Sequence, residues 1–201
     1  MRRYLSISLG VLLLDQWVKV SVKNSMYLGE EIPLLGNWLS LYFAENNGFA
    51  FGLTLSEISE SIGLSLSPYT GKLILSIFSL LAILGLILVL KKFSRHKSLL
   101  PVFIAIILGG ATGNIIDRLF YGVFFASNNL YEGGLFQGQV VDMFIFNFGD
   151  GGYTSPIFNI ADVAISLGII SILIFQNKFQ ARHERLSKPV TVPDDSPGLL
   201  S

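Results

Sequence analysis

The run "LILSIFSLLAILGLILVL", from Leu73 to Leu90, contains no charged residue. A helix must be roughly 20 apolar residues long to cross a hydrocarbon core about 30 Å thick, and this run meets that requirement. Three further runs approach it: Tyr4 to Val22, Leu99 to Ile116, and Ile157 to Phe175. Over the whole 201-residue chain 51% of residues are hydrophobic and only 14% charged, with a mean hydropathy of +0.60. The predicted fold class is therefore membrane all-α, with four transmembrane helices. The first run is the weakest, because Asp15, Gln16 and Lys19 interrupt it and an opening "MRR" is also how a secretory signal begins. No small-x-small cleavage site follows it, so it reads as a retained span.

Basic residues orient the spans, because cytoplasmic segments collect Lys and Arg. Arg2, Arg3, Lys91, Lys92, Arg95, Lys97, Lys178, Arg182, Arg185 and Lys188 fall on one side of a four-span arrangement, leaving only Lys19, Lys23, Lys72 and Arg118 elsewhere. Both termini are expected in the cytoplasm. The two long connections, which carry Glu30, Glu31, Glu45, Glu57, Glu60, Glu132, Asp142 and Asp150, are expected outside. Fourteen basic and fourteen acidic residues cancel, so no global field attracts nucleic acid. With no cysteine, disulfides and thiolate chemistry are excluded.

On this topology every ionisable group in or beside a span, apart from the cytoplasmic clusters, falls in one layer near the outer surface. Asp15 and Lys19 lie in the outer half of the first span. Asn114, Asp117 and Arg118 lie at the outer end of the third, Asn159 and Asp162 in the first turns of the fourth, and Asp142 on the connection before it. Each has an ordinary explanation. Asp15 and Lys19, four apart, can be an ion pair on one helix face; Asp117 and Arg118 can be an interfacial pair. Gly109, Gly110, Ala111 and Gly113 can be a smooth surface for helix packing, Asn159 a helix cap, and Asp142 a solvated loop aspartate. Taken together these explanations fare worse. An Asp, Lys or Arg at the centre of a spanning helix costs roughly 2.5 to 3.5 kcal/mol on insertion scales, and three of the four runs bring such a group to the same depth. A shared polar site is the economical reading.

Both histidines, His96 and His183, lie among the cytoplasmic charges, so the outer layer has no imidazole for a Ser-His-Asp arrangement or a histidine metal site. A serine–lysine pair through Lys19 is weakly supported. Carboxylates remain: two aspartates brought together cannot both ionise easily, so one holds a proton while the other acts as a base. Such a pair can activate water and protonate a leaving amine.

In order along the chain stand "DQWVK" (15–19), "NNGFAFG" (46–52), "GNIIDR" (113–118), "VVDM" (140–143) and "FNIAD" (158–162). With these motifs the chain resembles signal peptidase II, the bacterial prolipoprotein signal peptidase, an integral-membrane aspartic endopeptidase with four spans. The resemblance implies Asp142 and Asp162 as the catalytic dyad. It implies that Asn46, Gly48, Asn114, Asp117, Arg118 and Asn159 position substrate and dyad, while Asp15 and Lys19 support the architecture. It further implies cleavage before a diacylglyceryl-modified cysteine at the outer face of the bacterial cytoplasmic (inner) membrane. Prolipoprotein substrates, membrane lipid and globomycin-type inhibitors would be its partners, and it would need no metal or organic cofactor.

The connection from Lys23 to Lys72 exceeds a simple loop: "NWLSLYF" (37–43) suits a strand and "LSEISESIGLSL" (55–66) a short amphipathic surface helix. The resemblance implies a small extracytoplasmic β cradle and a surface helix here, between helices 1 and 2. Two departures stand out: Phe49 occupies a position where the family usually has a small residue, and the connection 119–139 is long, suiting either a lid or an aromatic anchor at the headgroups. Residues 1–179 are read as one membrane-embedded peptidase domain and 180–201 as a disordered cytoplasmic tail. Two rivals compete: a transporter or proton conductor with Asp15, Lys19, Asp117 and Asp162 as a relay, and an inactive relative serving assembly.

Overall fold

The computed structural model describes residues 1–48, 54–95, 98–131, 133–149 and 152–187, the last eleven of these by backbone only. Phe49, Gly52 and the tail beyond 187 lie outside the described residues. Four long helices dominate: α1 (Arg2–Ser25), α3 (Pro68–Phe93), α4 (Leu100–Ile116) and α6 (Ile160–Ser187). The first two, and α4 with its continuation to Phe124, are long and apolar enough to cross a membrane; the apolar part of α6, Ile160–Gln176, is shorter. Their outward faces are apolar, with Leu13, Trp17, Phe78, Leu81, Leu173 and Ile174 all more than half exposed. That is the surface a lipid solvent requires, since helices satisfy their own backbone groups.

Helix α4 is the hub, packed against α1, α3 and α6. Small residues permit the approach: a Cβ on Gly109 would stand 2.6 Å from the Ser8 carbonyl on α1, and one on Gly110 2.6 Å from the Ala161 carbonyl on α6. The packing explanation of these glycines is therefore correct, and it coexists with a polar site one turn further on. Past Ile116 the helix widens into a π turn, Asp117–Tyr121, followed by a short α5, Gly122–Phe124. Such a turn inserts an extra residue and re-aims side chains, commonly at functional sites.

The sheet is antiparallel, in the order β1 (Glu31–Leu35), β2 (Leu39–Asn46), β3 (Val140–Phe148), β4 (Tyr153–Thr154). The strand expected at 37–43 is β2, but the cradle is not confined to the connection between the first two long helices. Its other half comes from the connection after α4, and "VVDM" is central strand rather than solvated loop. Val141 and Met143 are fully buried with Val22, Met26, Phe43 and Tyr121 beneath the sheet, which explains the apolar run around Asp142. Ile157 and Phe158, read as the start of a span, instead serve the sheet: Phe158 bridges to Phe144, and α6 begins at Ile160.

The short helix α2 (Leu55–Ser61) is fixed by a capping box. The Thr54 hydroxyl accepts from Glu57 N at 3.2 Å, and Thr54 N donates to the Glu57 carboxylate at 2.8 Å. The connection after α5 folds back along the π turn, with Gly138 N donating to the Arg118 carbonyl, Phe136 N to that of Leu119, and Gly134 N to that of Gly122. Lys72 of α3 pins it by donating to the Gln137 carbonyl at 3.0 Å. Helix α6 runs to Ser187, eight residues beyond the boundary read at 179.

Candidate active site

Each polar side chain singled out in the sequence belongs to one connected network at the junction of the sheet with α1, α4 and α6. Asp142 enters from β3, where a bulge between Leu41 and Ala44 brings Ala44 opposite it. It is 3% exposed. Its Oδ2 accepts from Asn46 Nδ2 at 3.0 Å and its Oδ1 from Asn159 Nδ2 at 2.6 Å. Burial first, then the negative charge of Asp162, pushes the Asp142 carboxyl up to about 7, against the smaller opposing effects of Asn46, Asn159 and Lys19.

Asp162 sits in the first turn of α6, and its placement follows from how that helix starts. Asn159 Oδ1 accepts from Asp162 N at 2.9 Å, and Asp162 Oδ2 accepts from Asn159 N at 3.2 Å, a reciprocal cap spaced three residues apart. The remaining Asp162 oxygen accepts from Asn114 Nδ2 at 2.9 Å. Asn159 therefore both caps the helix and bridges the carboxylates, reaching Asp142 with its amide while its backbone N–H holds Asp162.

Behind this pair lies an ionic cluster with no solvent exposure. Lys19 Nζ contacts Asp15 Oδ2 at 2.9 Å and Asp117 Oδ2 at 2.8 Å, and donates to Asn114 Oδ1 at 2.7 Å. Asp15 Oδ1 also accepts from Ala161 N at 2.9 Å, and Asp117 Oδ2 from Val141 N at 3.3 Å, so the cluster ties α1 and α4 to α6 and to β3. An ammonium against Asn114 Oδ1 settles which way that amide faces: its NH2 must point at Asp162. Asp117 and Arg118 do not pair with each other. The guanidinium reaches the Gly48 carbonyl at 2.9 Å instead, and Gly48 N donates to Asn46 Oδ1 at 2.9 Å, which leaves the Asn46 NH2 for Asp142.

Two members of the network escaped the sequence reading. Gln16 donates to Asp117 Oδ1 at 2.8 Å, and buried Tyr121 donates to Gln16 Oε1 at 3.2 Å. A glutamine inside an apolar run was a usable signal for the first. Tyr121 had none, because its direction depends on the π turn.

Asp142 lines a groove of about 810 Å³ along the sheet, together with Asn46, Tyr42, Ile145, Asn147 and Glu31. Among the described residues no group of three or more His, Cys, Asp or Glu side chains is spaced to hold a metal ion. Two carboxyls joined through a shared asparagine, Asp142 buried and lining the groove and Asp162 partly buried behind it, form a site at which water can be activated and a peptide held.

Fold and site together define an integral-membrane helical protein with a sheet-lined carboxylate site. The chain belongs to the signal peptidase II family: the family profile described as "Signal peptidase (SPase) II" matches residues 7–178. It is 33% identical over 191 residues to a lipoprotein signal peptidase of Porphyromonas gingivalis, covering 82% of this chain and 78% of that one. It is 37% identical over 175 residues to a lipoprotein signal peptidase of Chlorobium phaeobacteroides, covering 86% and 94%. A solved bacterial membrane enzyme, determined by the in meso method, shares the fold with a TM-score of 0.60 at 24% identity, over 94% of this chain and 95% of that one.

Proposed function

We propose that this family member removes signal peptides from diacylglyceryl-modified prolipoproteins as an aspartic endopeptidase, with Asp142 and Asp162 as the dyad. The observation that carries this reading is the Asn159 bridge, which joins the Asp162 carboxyl to that of Asp142, the one that lines the groove. We assign the shared proton of the resting pair to Asp142, the more buried of the two carboxyls, where burial favours the protonated form. Asp162 takes a proton from a water, the water oxygen attacks the carbonyl carbon before the lipidated cysteine, and Asp142 gives its proton to the carbonyl oxygen. Collapse of the resulting diol returns one hydroxyl proton to Asp142 and breaks the C–N bond, while the proton taken by Asp162 leaves on the cysteine amine.

Four spans with both termini cytoplasmic complete the proposal, with α6 as the fourth. The basic clusters support that orientation, and the sheet then lies outside, level with the scissile bond of a substrate whose acyl chains stay in the bilayer. Asn46, Asn114, Asn159 and Arg118 orient the dyad and substrate, while Asp15, Lys19 and Asp117 brace them.

The test is cleavage of a diacylglyceryl-modified prolipoprotein peptide by the purified protein in detergent. Asp142→Asn and Asp162→Asn each keep their shape and lose their proton chemistry, and each is expected to lose at least about 10²-fold in kcat. Wild-type activity should survive a metal chelator. Full activity in either variant, or loss of wild-type activity to the chelator, overturns the aspartic reading.

A further inference from the structure

The groove extends well beyond the dyad, and its charge is one-sided. Every described residue lining it lies in the four strands or the segments flanking them, so it leads away from the helices. On the peptidase reading the apolar signal peptide lies among those helices, which leaves the groove for the chain that follows the cut. Among the described lining residues the charged groups are Glu31, Glu45 and Asp142, with no Lys, Arg or His. Glu45 is neutralised from behind by Lys23. Asp142 belongs to the proton-sharing pair. Arg118 and Lys19 are engaged elsewhere, on the Gly48 carbonyl and within the buried cluster. Glu31 remains: it is exposed on β1, and Asn147, which also reaches Ser40, donates to its carboxylate at 3.2 Å.

Register gives the distance. Glu31 pairs with Tyr42 and Asp142 with Ala44, so the two are separated by two strands across and two residues along. At about 4.8 Å per strand and about 3.3 Å per residue this is roughly 12 Å, the reach of three or four extended residues.

We propose that Glu31 is a specificity-determining residue that selects for a cationic side chain at the third or fourth position, counted from the lipidated cysteine as the first. The proposal rests on the peptidase reading above, but its test separates the two. Lipidated peptides carrying Lys, Ala or Asp at these positions are compared with the full-length protein in detergent. The expected order of kcat/KM is Lys, Ala, Asp, each step about two- to fivefold, the size of an exposed ion pair, and carried in KM. Salt near 1 M, where the Debye length is about 3 Å, should compress it. Glu31→Gln should bring the Lys-to-Asp ratio to about one, and Glu31→Lys should invert it. Fluorescence-anisotropy binding of the same peptides to Asp142→Asn reads the same order without cleavage, so the outcome stands whether or not the dyad assignment does. Equal affinities for the three peptides, or a Lys preference that survives Glu31→Gln, overturns the proposal.

Discussion

Replacing Lys19 by methionine removes one ammonium and keeps most of the side-chain volume. In the native protein that ammonium makes three contacts of 2.7 to 2.9 Å, to Asp15, Asp117 and Asn114. The two carboxylates left behind have no exposure to solvent. Breaking a buried ion pair from one side typically costs about 3–5 kcal/mol, because the orphaned charge stays desolvated. For a chain of this size that corresponds to a fall in Tm of roughly 10 °C. The assay is fluorescence-detected thermal unfolding in detergent, run beside a triple variant that adds Asp15→Asn and Asp117→Asn. The triple variant should recover part of the loss, since an amide oxygen at 117 can still accept from Gln16 and one at 15 from Ala161 N. At temperatures where Lys19→Met remains folded, kcat should fall more than KM rises, because only the 3.2 Å bond from Asn159 Nδ2 is left to hold the Asn114 oxygen and so aim its NH2 at Asp162. A Lys19→Met Tm within about 2 °C of wild type, or a triple variant less stable than the single, refutes the reasoning.

Asp142 makes stability depend on pH in an unusual direction. Its folded carboxyl, near 7, lies above the ordinary value of 3.8, so between those pH values the folded state binds the extra proton and stability falls as pH rises. Asp142→Asn lacks this penalty: it should be more stable than wild type at pH 8, by a few kcal/mol on the order-of-magnitude scale, with the gap closing toward pH 4. Thermal unfolding across that range measures it, and wild-type kcat/KM should decline above about pH 7 as the shared proton is lost. Gly110→Ala places a methyl 2.6 Å from the Ala161 carbonyl and should cost about 1–3 kcal/mol with loss of activity, because α6 carries Asp162. Gly10→Ala meets nothing within 4 Å and should be neutral or slightly stabilising by the same unfolding measurement.

The long helices were legible because lipid reduces the problem to length and apolarity, and Leu73 to Leu90 needed nothing more. The site residues were legible because a charge in such a setting is costly enough to signal purpose, as Asp15, Lys19 and Asp162 did. The sheet was half hidden. Val140 to Phe148 alternates poorly, since Val141, Asp142 and Met143 are all buried, and a strand covered on both faces loses the period-two pattern. Ile157 and Phe158 looked like membrane residues because hydropathy cannot separate lipid contact from contact with another aromatic strand. The ordinary reading of Asp117 and Arg118 as an interfacial pair rested on adjacency in sequence, while the π turn sends the two side chains to different partners.

The pairing of β2 with β3 also governs when the protein can begin to work. Asn46 and Asp142, which meet across that pairing, are 96 residues apart. Between them lie α3 and α4, so during synthesis β2 can pair with β1 at once but waits for β3 until both helices have been made. Loop closure over that separation makes the pairing a late event. Asp162 emerges later still, on the last helix. On the proposed mechanism, a chain stalled at any earlier point has part of the groove but lacks one of the two carboxyls, and so cannot cut the membrane-bound precursors around it.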